Sequence, residues 1–257
     1  MLDALLLGLI EGLTEFLPIS STGHLLIAEH WLGERSDLFN IVIQAGAILA
    51  VTLVYRVRLL ELATGLNRPE PRDYVLKLAG SFVVTAVLGL TVKKLGFKLP
   101  ETVTPIAIAL IVGGVIIFFI EVWAKKQPPR DEVTWKLAIA VGIAQVLAGV
   151  FPGTSRSAAA IFAAMLFGLT NRTKAAEFAF LIGIPTMFAA SAVEALSLFK
   201  SGELHAENGA ELAVATLVSA ITGFISVKWL LRYVSTHNFN VFAWYRIALG
   251  LLLLALL

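Results

Sequence analysis

Pro18-Ile19-Ser20-Ser21-Thr22-Gly23 and Pro152-Gly153-Thr154-Ser155-Arg156-Ser157 each interrupt an apolar stretch near its middle, the first within residues 4–33 and the second within 137–169. Proline lacks a backbone donor and its ring clashes with the preceding turn, whereas the hydroxyl residues that follow suit a new helix start. Each stretch therefore reads as two short helices meeting at a tip. Such a break at membrane depth is tolerated only where protein or a wet cavity surrounds the freed backbone groups.

The rest of the chain says that there is a membrane around these tips. Of 257 residues, 58% are hydrophobic and 15% charged, and the mean hydropathy is +0.85, outside the range of soluble domains. Apolar blocks at 39–55, 76–92, 104–123, 176–199, 210–231 and 241–257 have the length of membrane crossings, and Lys/Arg-bearing gaps divide them. The fold class expected is an all-α integral membrane protein, one domain over 1–257. A net charge of +2 with dispersed basic residues argues against nucleic acid as a partner. With no cysteine, disulfides and thiolate chemistry are excluded, and a metal could take only oxygen or imidazole ligands. The amino terminus lacks a basic n-region and reads as uncleaved.

The two broken stretches resemble one another. Gly8, Glu11, Pro18, Ser20 and Ser21 align with Gly142, Gln145, Pro152, Thr154 and Ser155 at one offset of 134 residues, and Gly46 falls on Gly183 three positions later. This predicts two repeats, about 1–123 and 134–257, each a re-entrant helical hairpin followed by three transmembrane helices. Three crossings is an odd number, so the second hairpin enters from the opposite side and the repeats are inverted in topology. Segments 56–77, 124–136, 171–175 and 228–240 hold 13 Lys/Arg, against 5 in 29–37, 93–101 and 200–209. By the positive-inside rule the first hairpin dips in from the outer face. The trio Lys93, Lys94 and Lys98 runs against that orientation.

Glu11 and Glu15 share one helical face in an apolar setting, and Arg156 is the lone charge between Lys136 and Arg172. A charge at mid-membrane costs about 2.5–3.5 kcal/mol, so the three are expected to face each other or a wet cavity. Helix starts at the two tips offer unpaired N–H groups and a positive dipole end to an anion. Arg156 adds a fork suited to phosphate, Glu11 and Glu15 add hard oxygen ligands for a divalent cation, and Ser21 with His24 supplies a hydroxyl nucleophile and a base. Each signal alone has a plainer explanation: hydroxyls as helix caps, the glutamates as a proton or cation path, His24 as an interfacial or core residue, Arg156 as a counter-ion. The active-site reading rests on their convergence. Glu177 and Arg246 read as structural pairs or edge residues, and no role is assigned to His30 or Glu194.

Residues Glu11 to His24 resemble the glutamate-rich signature of the bacterial undecaprenyl-pyrophosphate phosphatases, the bacitracin-resistance family. Pro152 to Ser157 resembles the family's second signature, and 39–51 its first spanning helix. The resemblance covers essentially the whole chain. It implies hydrolysis of a polyprenyl diphosphate lipid to the monophosphate carrier of peptidoglycan and related polymers, supported by Mg²⁺ or Ca²⁺. It also implies a multi-pass protein of the inner membrane whose site opens to the outer face. Carried over by motif, Glu11 and Glu15 form the acidic catalytic or metal-binding pair. Ser20, Ser21, Thr22 and His24 surround the phosphorus, and Arg156 with Thr154, Ser155 and Ser157 holds the diphosphate. Ala158 and Ala160 depart from the Gly and Thr usual in the second signature. Ser21 as nucleophile with His24 as base is preferred over a phosphohistidine at His24. The rival class is a transporter or flippase of a lipid phosphate or small anion, to which a nucleophile and base are superfluous. A homodimer stays open.

Overall fold

The computed structural model describes residues 1–96, 102–201 and 207–256, so Lys98 of the outer basic trio and Leu257 lie outside the described residues. Among the described residues there are eleven helices and no strand: α1 (Leu2–Thr14), α2 (Ser21–Leu32), α3 (Asp37–Val54), α4 (Arg56–Thr64), α5 (Pro69–Lys94), α6 (Val103–Ala124), α7 (Trp135–Val150), α8 (Arg156–Leu166), α9 (Arg172–Ser201), α10 (Gly209–Val234) and α11 (Asn240–Leu256). Helices α3, α5, α6, α9 and α10 are long and apolar enough to cross a membrane. The sixth expected crossing is α11, whose 17 residues lie at the short end of a spanning length. Large apolar side chains such as Val87, Phe119 and Leu217 point outward. This is a multi-pass membrane protein, with an apolar exterior that suits lipid.

Two helices exceed what hydropathy alone marks out. Pro69, whose ring presets φ for a first turn, starts α5 inside the charged segment, and α4 occupies part of the stretch expected to be a mere connection. A buried staple at that end was also illegible. Glu121 of α6, 1% exposed, accepts from Arg172 Nε at 2.9 and 3.2 Å and from its Nη2. It also accepts the backbone N–H of Phe239 at 2.8 Å, just before α11. One carboxylate thereby ties α6 to the starts of α9 and α11.

Both broken stretches fold as helix, turn, helix. Ser20 (φ 74°) caps α2 by accepting from Gly23 N–H at 3.3 Å, and Ser155 (φ 69°) caps α8 by accepting from Ala158 N–H at 3.3 Å. They are the non-glycine residues with positive φ among those described. That backbone region costs on the order of 1–3 kcal/mol and persists only where the surroundings enforce it. The shared cap pairs Ser20 with Ser155 and so Ser21 with Arg156, which corrects the gapless alignment that set Ser21 against Ser155. The second tip has one residue more, and Gly153 (φ +88°) supplies the turn that lets the backbone pass Ile106.

Close approaches then exchange between the two halves of the chain. A Cβ at Gly8 would sit 2.2 Å from the Ala215 carbonyl oxygen of α10, and one at Gly142 2.7 Å from the Ser81 carbonyl oxygen of α5. Gly114 and Gly250 face the carbonyls of Ala243 and Ala107 in the same reciprocal way, each at 2.7 Å. Gly46 meets the Thr216 carbonyl, but Gly183 has no corresponding backbone neighbour. The largest core cluster lies beneath the second hairpin, with Ile161 and Met165 of α8 among Phe178 and Ile182 of α9 and Ile48 and Val51 of α3. Phe16 enters it from the first tip, edge-on to Phe180 with ring centroids 5.6 Å apart.

Gly8→Ala is expected to overpack α1 against α10 and cost about 1–3 kcal/mol. Gly89→Ala on α5, where nothing lies within 4 Å of the added carbon, is expected to be neutral or mildly stabilising. Thermal unfolding of both variants in detergent checks the contrast.

Candidate active site

The freed backbone carbonyls of the two tips converge on one side chain. Arg246 of α11, with 0% exposure, donates from Nη1 to Pro18 O (3.2 Å) and Thr154 O (3.0 Å). Its Nη2 donates to Gly153 O (3.0 Å) and Ala109 O (3.1 Å), and its Nε to Leu110 O (3.4 Å). Gly113 makes room, since a Cβ there would lie 2.2 Å from Nη2. Arg246 is thus neither an edge residue nor a member of an ion pair, as the sequence had suggested. Each broken helix leaves carbonyls that need donors, and a guanidinium offers five in a fixed plane. Glu177 does pair as expected, with Arg58 at 3.3 Å and Lys174 at 3.5 Å.

Held in this way, the tips enclose a polar cavity of about 210 Å³ lined by Glu15, Ser20, Ser21 and Thr22 from the first tip and by Ser155 and Arg156 from the second, with Ala148, Gly149, Pro152 and Gly153 completing the wall. Ser21 Oγ donates to Glu15 Oε2. Arg156 has no hydrogen-bond or ion-pair partner among the described residues, although it lies within Coulombic range of Glu11 and Glu15. Its fork is available to the cavity. Helices α2 and α8 both begin here, so the cavity lies at two helix N-termini, a setting that favours an anion.

The remaining expected residues lie around the cavity rather than in its wall. Glu11 is 1% exposed and its Oε1 is buried without a hydrogen-bond partner. At the matching position of the second hairpin, Gln145 is satisfied by Thr186, which donates at 2.8 Å, and by Thr85, which accepts at 3.2 Å. Ser157 Oγ donates to Leu17 O at 3.0 Å and lies 3.0 Å from Ser155 Oγ, so it ties one tip to the other. Thr154 gives its carbonyl to Arg246 and lines an apolar groove behind the tip rather than the polar cavity.

His24 does not meet Ser21. Its Nδ1 lies 2.7 Å from Ser20 O and its Nε2 2.6 Å from the Tyr245 hydroxyl. A carbonyl only accepts, so Nδ1–H donates to it, and the neutral ring's remaining lone pair at Nε2 takes the Tyr245 O–H. Tyr245 and Arg246, adjacent on α11, are the site residues that sequence reasoning missed or misread. The available signal was an arginine inside an otherwise apolar block.

As for donors to a hard divalent cation, Glu11 and Glu15 offer carboxylate oxygens, one of them orphaned and buried. No group of three or more carboxylates and imidazoles forms among the described residues. The two glutamates fit such an ion in chemical type, with its other ligands left to phosphate and water.

A family model described as bacitracin resistance protein BacA matches residues 4–252. The chain is similar to the undecaprenyl-diphosphatase of Xylella fastidiosa (strain 9a5c), with 63% identity over 254 residues that cover 99% of this chain and 97% of that one. It is 62% identical to the undecaprenyl-diphosphatase of Rhizobium etli (strain CIAT 652) over 255 residues, covering 99% and 96%. With that of Xanthomonas axonopodis pv. citri (strain 306) it shares 62% over 254 residues, again covering 99% and 96%.

Arg246→Lys keeps the charge but not the five-donor plane, and each buried carbonyl left bare costs about 1–3 kcal/mol. The variant is expected to lose folded yield and thermal stability even without substrate, and Arg246→Ala to lose more. Size-exclusion profiles and melting curves of the apo proteins test this.

Proposed function

The chain belongs to the bacitracin resistance protein BacA family, and we propose that it hydrolyses undecaprenyl diphosphate to the monophosphate and inorganic phosphate at the polar cavity between its two tips. The observation that carries the assignment of chemistry is the juxtaposition within one cavity of the Ser21 hydroxyl, already donating to Glu15, and the unpaired Arg156 guanidinium. Phosphoryl transfer through a loose transition state asks mainly for positioning and charge neutralisation, and these groups supply both.

In this reading Ser21 Oγ attacks the terminal phosphorus while its proton passes to Glu15. The bond from phosphorus to the bridging oxygen breaks, and the electron pair leaves on undecaprenyl phosphate. Water then attacks phosphorus as the bond from phosphorus to Ser21 Oγ breaks, Oγ takes back the proton held by Glu15, and the proton lost by water passes to a phosphoryl oxygen and leaves with inorganic phosphate. Arg156 grips two phosphate oxygens at once, and the helix starts at Ser21 and Arg156 face the same charge. In this reading Glu15, to which Ser21 Oγ already donates, takes the proton in place of the His24 favoured from sequence. His24, clamped between Ser20 and Tyr245, holds the first turn of α2. A divalent cation, Mg²⁺ or Ca²⁺, held by Glu11 and Glu15 would supply further neutralisation of the diphosphate.

The reciprocal contacts of Gly8 with Ala215 and of Gly142 with Ser81 support two repeats of inverted topology. The excess of Lys/Arg in the connections assigned to the inside supports a site open to the outer face of the inner membrane.

Purified protein is expected to release inorganic phosphate from undecaprenyl diphosphate. Arg156→Lys should lose about 10- to 150-fold in kcat/KM, the equivalent of one charge-assisted hydrogen bond of about 1.5–3 kcal/mol, and Arg156→Ala somewhat more, both at normal folded yield. A well-folded Arg156→Lys enzyme with full activity would remove the bidentate role.

A further inference from the structure

Behind the second tip an apolar groove of about 520 Å³ runs between α6, α7 and α8. Its walls include Ile116 of α6, Ala140 and Ala144 of α7, and Ala159 and Ala163 of α8, with Thr154 at its head. The alanines are what leave the trough open. At its far end the Lys136 ammonium lies 5.6 Å from the centroid of the Phe167 ring, a polar stop. From Lys136 to Leu147 the groove follows α7 for ~16 Å at 1.5 Å per residue.

The helix faces that floor this groove also reach the polar cavity. On α7, Ala140, Ala144 and Ala148 recur every fourth residue along one stripe, and Ala148 is a wall of the polar cavity. On α8, Arg156, Ala159 and Ala163 follow the i, i+3, i+7 spacing of one stripe, and Arg156 is the cavity's cation. A ligand with an anionic head at Arg156 and a long apolar tail would meet both spaces along these two faces.

We propose that the groove binds the first several isoprene units of the substrate's polyprenyl tail while the diphosphate occupies the polar cavity, so that α7 and α8 select for long-chain substrates. This rests on the phosphatase reading above. The tail has no polar atom to satisfy, which matches a groove whose polar groups are confined to its two ends. An acyl chain of bulk phospholipid is the competing occupant.

The test compares two substrates, undecaprenyl diphosphate and dimethylallyl diphosphate, whose single isoprene unit is too short to reach Ala163 or Ala140. In Ala163→Trp and Ala140→Trp, which fill the groove away from the catalytic groups, KM for undecaprenyl diphosphate should rise by about tenfold or more with kcat retained, the pattern of lost uniform binding. Turnover of dimethylallyl diphosphate should be unchanged, which also shows that the variants are folded. If both substrates behave as in wild type, the groove holds bulk lipid and the proposal fails. Equal impairment of both substrates rejects it too, as distortion of the site. A wild type inactive on both diphosphates would overturn the phosphatase reading itself, and that outcome is distinguishable from the others.

Discussion

A broken helix inside a membrane needs donors for the carbonyls it exposes, and here one guanidinium provides them for both breaks. Arg246 binds Pro18 on one tip and Gly153 and Thr154 on the other, and it anchors them to Ala109 and Leu110 of α6. With no lipid-side hydrogen-bonding partner to compete, those bonds fix the separation of the tips. The positive φ at Ser20 and Ser155, the space at Gly113 and the tie from Ser157 to Leu17 all serve that one arrangement.

With the tips held apart, labour divides between the two halves. The first contributes carboxylates and hydroxyls: Glu15 and Ser21 in the cavity wall and Glu11 buried beyond it. The second contributes the cation, Arg156. The matched position Gln145 is neutral and fully bonded, so the second hairpin carries structure where the first carries acid. Because the caps pair Ser21 with Arg156, the proposed nucleophile and the proposed anion-binding fork stand at equivalent first-turn positions, both in the wall of one cavity.

The breaks, most of the spanning helices and the polar residues of the tips were legible because proline, hydroxyl and charged residues are conspicuous in apolar sequence. What was not legible depends on which way side chains turn. Spacing puts His24 one turn from Ser21, but the imidazole turns to Tyr245 from a distant helix, and the Ser21 hydroxyl finds Glu15 across the turn. Thr154 and Ser157 sit in the right motif yet serve Arg246 and Leu17. The Glu121 to Arg172 staple joins residues 51 positions apart, and nothing local marks either partner. The one-residue slip between the two broken stretches follows from the extra Gly153 turn, which a gapless alignment conceals.

The central claim is that Ser21, activated by Glu15, forms the bond to phosphorus between the two tips. The most direct measurement is rapid acid quench of the enzyme during turnover of undecaprenyl diphosphate labelled in its terminal phosphate, with the labelled residue mapped by peptide sequencing. The account predicts an acid-stable phosphoserine at Ser21 that forms and decays at rates compatible with turnover and is absent from Ser21→Ala. Label on His24, recovered from a parallel alkaline quench because phosphohistidine is lost in acid, or turnover with no covalent phosphoenzyme under either quench, would contradict it.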